Sequence, residues 1–257
     1  WFLITYKALD MNNKKVISYI IEWIKDYVDS SDYNIKSLIV GVSGGIDSAL
    51  TSTLCAMTGI KTIAINIPLK TNDSSLSSMH CKFLLSKYSN VQSYEVDLST
   101  TFDKFYDVCI ASGFENDLGF ANSKSRLRMI LLYQAASKFK GIVVGTGNKV
   151  EDFGVGFFTK YGDGGVDLSP IADLTKSEVR SLSKELGISD KILKSSPTDG
   201  LWDDDRTDEQ QLGLTYEELE DAMSNEDSIH REKYMSIRKK NIHKMKAIPV
   251  CIIKDKN

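Results

Sequence analysis

A short apolar run rich in branched residues, Ser37-Leu-Ile-Val-Gly-Val42, passes directly into Ser43-Gly-Gly-Ile-Asp-Ser48 and then into a segment with Ala49, Leu50, Leu54 and Met57 at helical spacing. This succession constrains the fold more than any other feature of the chain. A continuously apolar strand is buried on both faces, which requires a parallel sheet covered by helices. Between strand and helix, glycines let the backbone turn tightly and leave amides exposed, and the helix N-terminus adds a partial positive charge. The Ser43 and Ser48 hydroxyls add donors. Together these groups make a cradle suited to a pyrophosphate.

The rest of the chain repeats the alternation. Val16, Ile17, Ile20, Ile21, Ile24 and Val28 predict an amphipathic helix over residues 13–29. Strands are expected at 61–67, 92–96 and 141–145, with helices at 75–87, 101–112 and 122–139. Strands alternating with helices predict an α/β fold, a doubly wound parallel sheet with flanking helices. Ligands of such sheets sit beyond the carboxyl ends of the strands, so the loops after Val42, Ile67 and Gly145 are expected to carry the function. Residues 146–170 are glycine-rich and polar, too long for a mere connection. Beyond them, Thr175-Lys-Ser-Glu178 has the form of a capping box opening a helix to Leu186, closed by Gly187. A second box, Thr215-Tyr-Glu-Glu218, opens a short helix to Met223. Residues 227–245 are expected to form the last long helix.

Composition removes several classes of function. A net charge of -3 gives no general basic field for nucleic acid. No run of 18 apolar residues is present, so no membrane helix is expected. Cys55, Cys81, Cys109 and Cys251 match neither a zinc pattern nor a CxxC motif, and they suit a reducing cytoplasm. Residues 11–257 are expected to form one domain. Met11 is expected to be the natural start, and residues 1–10 are set aside as upstream sequence.

The loop is neither GxxxxGK(S/T) nor GxGxxG. A strand followed by SGGxDS instead resembles the loop of ATP-pyrophosphatases, which split ATP into AMP and pyrophosphate. From Gly145 the sequence reads GTGNKVEDFGVGFFTKYGDGGVDLSPIADLTK, and here the resemblance narrows to bacterial NAD synthetases, most closely over GFFTKYGDGG. Pro197-Thr-Asp-Gly-Leu-Trp202 with Thr207-Asp-Glu209 resembles that family's PTADL…DE…LG…Y stretch, with Asp-Gly where Ala-Asp is usual. Ile242-His-Lys244 resembles its C-terminal His-Lys pair. The four segments occur in order and span nearly the whole chain.

The resemblance implies ammonia-dependent amidation of deamido-NAD+, driven by ATP through an acyl-adenylate, and it implies roles for particular residues. Gly41, Val42, Ser43, Gly44, Gly45, Ile46, Asp47 and Ser48 match the ATP loop, with Thr146, Lys176 and Thr198 as further ATP contacts. Asp47 and Glu151 match Mg²⁺ ligands and, with Lys176, the catalytic set. Arg126, Lys160, Asp167, His243 and Lys244 match contacts to deamido-NAD+. The family also implies a homodimer. Elementary chemistry agrees with much of this. Arg126, Lys160, Lys176 and Lys244 offset the charge of two polyanionic substrates, and Mg²⁺ favours one or two carboxylates with phosphate and water.

Spacing alone leaves Glu151 and Asp152 both open as the second carboxylate; register with the family favours Glu151. Arg126 and Arg128 also fit an exposed helix face, and Phe157 and Phe158 fit core packing. About 36 residues precede the loop's strand, too few for a further catalytic domain, so free ammonia, or ammonia from a separate protein, is the expected nitrogen source. Two other readings share the loop. A tRNA-modifying or amidotransferase synthetase would call for a basic surface or paired cysteines, and a nucleotide sensor would not need two metal carboxylates.

Overall fold

The computed structural model describes residues 12–70, 74–198, 200–202, 204 and 206–253. Strands β1 (Ser37–Gly41), β2 (Thr62–Asn66), β3 (Val91–Glu95) and β4 (Gly141–Val143) pair in parallel in the order β3-β2-β1-β4. The chain steps outward from β1 to β3 and then crosses back to the other side of β1. That reversal places a crevice between the carboxyl ends of β1 and β4, where open α/β sheets bind ligands. Beyond β4, the Leu168 carbonyl accepts from Gly145 N at 2.7 Å, and Val144 and Leu168 form a parallel bridge.

Alternation along the strands sorts the helices onto two faces. Leu38, Val40, Ile142 and Val144 face α1 (Asn13–Ser30), α2 (Ile46–Met57), α6 (Lys176–Glu185) and α7 (Asp190–Leu193). Val42, Ala64 and Val91 pack with Cys81 and Leu84 of α3 (Ser75–Lys87). On the opposite face, Ile39, Ile63, Ile65 and Val143 pack against Met129, Leu132 and Ala136 of α5 (Asp117–Phe139). Phe102 of α4 (Ser99–Ala111) joins Phe120 of α5 and Leu69 beside it. Strands β1, β2 and β4 are near-continuously buried, whereas β3, at the sheet edge, buries only Val91.

The fold class and the alternation agree with the sequence expectation, with differences at the ends of elements. The long helix α5 begins at Asp117, earlier than expected, because Asn116 caps it by accepting from Gly119 N at 2.7 Å. A glycine in its first turn hides that start. Residues 146–170 are not all loop, since Lys149–Val155 form a π-helical turn. Helices α8 (Asp208–Leu212), α9 (Tyr216–Ser224) and α10 (Arg231–Met245) make a C-terminal layer. Its core joins Leu212, Leu214, Tyr216, Leu219, Ala222 and Tyr234 to Val150 and Val155 of the π-helical turn. Residues 1–10, set aside above, lie outside the described residues.

His80, on α3, is 2% exposed; its Nε2 lies 3.0 Å from the Ser52 hydroxyl of α2. Burial lowers its pKa to about 4, against an opposing pull from the Ala49 backbone. Because the folded pKa lies below the unfolded one, the stability of the neutral buried ring is full above about pH 6.5 and is lost as pH falls. Denaturant unfolding at pH 7 and pH 4.5 should therefore show an acid loss that is smaller in His80→Gln, by roughly 2–3 kcal/mol. Equal losses in the two proteins would remove His80 as the cause.

Candidate active site

The carboxylates and the lysine singled out in the sequence meet at the crevice. Lys176 Nζ lies 2.6 Å from Asp47 Oδ2 and 2.8 Å from Glu151 Oε1. Lys176 is 1% exposed, whereas the Asp47 and Glu151 side chains keep 16% and 15% of their surface, so the acids open to solvent and the ammonium lies behind them. Each group sits in the first turn of a helical element: Asp47 on α2, Glu151 on the π-helical turn and Lys176 on α6. Thr175 caps α6 with a capping box, which fixes the direction in which Lys176 leaves the backbone.

Asn148 joins the two carboxylate elements. Its side-chain nitrogen donates to Asp47 Oδ1 at 3.0 Å, and its oxygen caps the π-helical turn by accepting from Val150 N and Glu151 N, both at 3.0 Å. π-helical turns recur at functional sites. Burial pushes the Glu151 carboxyl up, but Lys176 and the Tyr216 hydroxyl outweigh it and hold Glu151 below its ordinary value. For Asp47, burial prevails over Lys176, with the Glu151 charge adding to the upward push. Burial works against the Lys176 ammonium, yet the two carboxylates hold its pKa above the ordinary one. The structure also separates Glu151 from Asp152. The Asp152 carboxylate packs against Gly147, and burial, then Asp163, Glu151 and Asp47, raise its pKa well above the ordinary range.

The glycine loop is ordered by its serines. Ser43 N donates to Ser48 Oγ at 3.2 Å, Ser48 Oγ donates to the Gly45 carbonyl at 2.9 Å, and Gly45 N donates to Ser43 Oγ at 3.2 Å. Gly45 caps α2 without a side chain. The first-turn amides of Ile46, Asp47 and Ser48 have no intrahelical acceptor by position, which is the condition for holding an anion.

The other residues named from the sequence stand on separate segments with contacts of their own. Thr146 stands just past β4. Thr198 Oγ1 donates to the Arg206 carbonyl at 3.1 Å. Arg126 is exposed on α5 and donates to the Lys160 carbonyl at 3.2 Å, and Lys160 Nζ lies 5.4 Å from the Tyr161 ring centroid. Both oxygens of Asp167 are engaged, by Tyr133 Oη at 2.9 Å and Val143 N at 2.8 Å, so in this structure Asp167 fastens the returning chain to α5 and β4. His243 is exposed on α10. Lys244 donates to the Phe158 carbonyl at 2.8 Å, tying α10 to the glycine-rich segment; burial lowers its pKa, opposed by Asp163 and Asp152. Sequence reasoning missed Asn148, Tyr216 and Asp208. Tyr216 was visible in the Thr215 box, but was read there only as the start of a helix.

A parallel sheet with a glycine loop at a helix N-terminus, two facing acids and a buried ammonium has the parts of a nucleotide-activating α/β enzyme of the ATP-pyrophosphatase type. Residues 16–256 match the family model described as NAD synthase. An NH(3)-dependent NAD(+) synthetase of Mesoplasma florum is 36% identical, over 91% of this chain and 93% of that protein. One from Methanosarcina acetivorans is 35% identical, over 93% and 98%. Among solved structures, an NMN synthetase from Francisella tularensis superposes with a TM-score of 0.85 at 29% identity, covering 95% of this chain and 100% of that one. The chain belongs to the NAD synthase family, and it is a ligase.

Proposed function

We propose that this chain carries out the last step of NAD+ formation, amidating the nicotinate carboxylate of deamido-NAD+ with ammonia at the expense of ATP. The observation that carries this reading is the Asp47–Lys176–Glu151 cluster beside the 41–48 cradle. A nicotinate carboxylate oxygen attacks the α-phosphorus, the bond to the β-phosphate bridge breaks, and pyrophosphate leaves. Ammonia then attacks the acyl carbon; the bond to AMP breaks and the nitrogen loses a proton to solvent. Loop amides and the α2 N-terminus hold the departing pyrophosphate, and Lys176 stabilises charge that grows on the phosphates.

Two carboxylates opening to solvent from a polar crevice are hard oxygen donors that fit Mg²⁺. Among the described residues no group of three or more His, Cys, Asp or Glu could hold a metal alone, so phosphate and water must complete the shell. Asp47 and Glu151 would hold the ion, which would neutralise phosphate charge when bound.

A homodimer belongs to the same reading. Phe105 and Val108 of α4 and Leu118, Ile130 and Tyr133 of α5 are exposed. A groove of about 530 Å³ runs between α5 and Tyr161. These exposed apolar side chains, with the groove beside them, support a second copy seated there. No helix among the described residues is long and apolar enough to cross a membrane, and a cytoplasmic location is part of the proposal.

The likeness to an NMN synthetase favours a second reading, in which the same carboxylate is presented on a mononucleotide. The chemistry is unchanged, because the two substrates differ only away from the reacting carboxylate. Purified protein with ATP, Mg²⁺ and ammonium should form NAD+, AMP and pyrophosphate in equal amounts from deamido-NAD+, and glutamine should not replace ammonium. A higher kcat/KM on nicotinate mononucleotide would establish the second reading. Pyrophosphate release with neither amide formed would overturn both.

A further inference from the structure

Tyr216 has no part in the chemistry above, yet it is fully buried and meets the acid–lysine cluster twice. Its hydroxyl donates to Glu151 Oε1 at 2.5 Å and lies 3.1 Å from Asp208 Oδ2. Its ring centroid is 4.7 Å from Lys176 Nζ, a favourable position for an ammonium over an aromatic face. Lys176 and Tyr216 thus donate to the same oxygen of Glu151. Two donors on Oε1 hold the carboxylate in one orientation and keep Oε2 out of those bonds.

The other side of Tyr216 leads to the chain that carries Thr198. Asp208 N donates to the Pro197 carbonyl at 3.0 Å, and Thr198 Oγ1 donates to the Arg206 carbonyl at 3.1 Å. Pro197 and Thr198 are thereby tied to Asp208 and Arg206, and the Asp208 carboxylate meets the Tyr216 hydroxyl that donates to Glu151. A phenol hydroxyl has one proton, and the shorter contact assigns it to Glu151. A displacement of Asp208 changes the pull on that hydroxyl and so the placing of the Glu151 carboxylate.

We infer that Tyr216 is a positioning residue that orients Glu151 for a divalent cation and couples that cation site to the seating of Asp208 at the start of α8. Partners of this kind, one step removed from the metal, orient the ligand and set metal affinity. The inference rests on Glu151 serving as a metal ligand under the proposed function.

Tyr216→Phe keeps the ring and removes the hydroxyl. With a non-hydrolysable ATP analogue bound, its Mn²⁺ affinity, read by the electron paramagnetic resonance of free Mn²⁺, should fall roughly 10- to 100-fold. Affinity for the metal-free analogue should be unchanged. Mn²⁺ affinity within two-fold of the unmodified protein would overturn the inference, whatever the variant's melting temperature, because a packing role alone moves only stability. A second measurement needs no variant. Adding Mn²⁺ to the unmodified protein with the analogue should slow amide hydrogen exchange at residues 206–216, and no slowing there would refute the coupling. If the unmodified protein binds no Mn²⁺ with the analogue, the proposed function fails as well; if it binds Mn²⁺ and Tyr216→Phe binds it equally, only the role of Tyr216 fails.

Discussion

Lys176→Met should slow turnover by roughly 10²- to 10³-fold, the usual effect of removing one group aimed at transition-state charge, and should also lower stability by about 3 kcal/mol. Methionine fills much of the same volume, so the loss comes from charge. Removing one partner of a buried ion pair costs about 3–5 kcal/mol, and the residual exposure of the Asp47 and Glu151 side chains, 16% and 15%, places this site at the low end. The effect has a sign in pH. Lys176 has a raised folded pKa, so its contribution is complete below its unfolded value of about 10.4 and is lost only as pH rises through the folded one. Glu151 has a depressed folded pKa, so its contribution is complete above its unfolded value and is lost as pH falls through the folded one. The gap between wild type and Lys176→Met should therefore be constant from about pH 7 to pH 9 and should narrow as pH falls below that range, beginning above the ordinary carboxylate value of about 4.3, because burial with no ammonium to oppose it makes the variant's carboxyls take up protons early. Urea titrations across that range measure it directly. A gap that widens in acid would mean that methionine disturbs packing rather than charge.

The strand, cradle and helix around Gly44 were legible because their signals are local. A branched apolar run specifies a buried strand, and a glycine cluster with two serines specifies a turn rich in donors, whatever lies elsewhere in the chain. The same holds for Asp47, read from that loop; Lys176 was visible locally only as the residue after the Thr175 cap, and its role came from the family resemblance. The remainder of the site follows one rule that no single segment reveals. Thr175, Thr207 and Thr215 each open a capping box, and the residue immediately after each (Lys176, Asp208 and Tyr216) enters the cluster. A capping box states where a helix begins. It does not state that three helix starts, with those of α2 and the π-helical turn, converge on one crevice, because that depends on the sheet order and on the packing of α8 and α9 against the π-helical turn. The π-helical turn itself was unreadable for a different reason. Lys149-Val-Glu-Asp-Phe-Gly-Val155 has no 3.6-residue apolar period and contains a glycine; it is held by the Asn148 cap and by burial of Val150 and Val155 in the C-terminal core. The choice between Glu151 and Asp152 was open for that reason too, since spacing counted on an α-helix does not predict which of two adjacent acids faces Lys176.

Gly44→Ala should reduce turnover by about 10²-fold or more, the scale of losing a preorganised donor to developing negative charge. Gly44 has φ +92°, and an added Cβ would stand 2.9 Å from Ser77 N and 3.0 Å from Leu76 Cβ, both on α3. A backbone angle of this kind costs a non-glycine residue on the order of 1–3 kcal/mol. The clash adds to it, because the opposing atom is a backbone nitrogen in a packed helix, which cannot swing aside. The loop must then shift away from α3, and the amides that converge on one anion separate. Strain alone does not produce this loss, and Gly59 offers the control. It also has positive φ, +79°, but nothing lies within 4 Å of its added Cβ. Gly59→Ala should lower the melting temperature through strain and leave kcat near wild type. Steady-state kinetics and thermal melts on the two variants separate the cases. If Gly59→Ala loses activity in proportion to Gly44→Ala, the loss reflects general destabilisation, and the 41–48 loop is not the group that holds the leaving pyrophosphate.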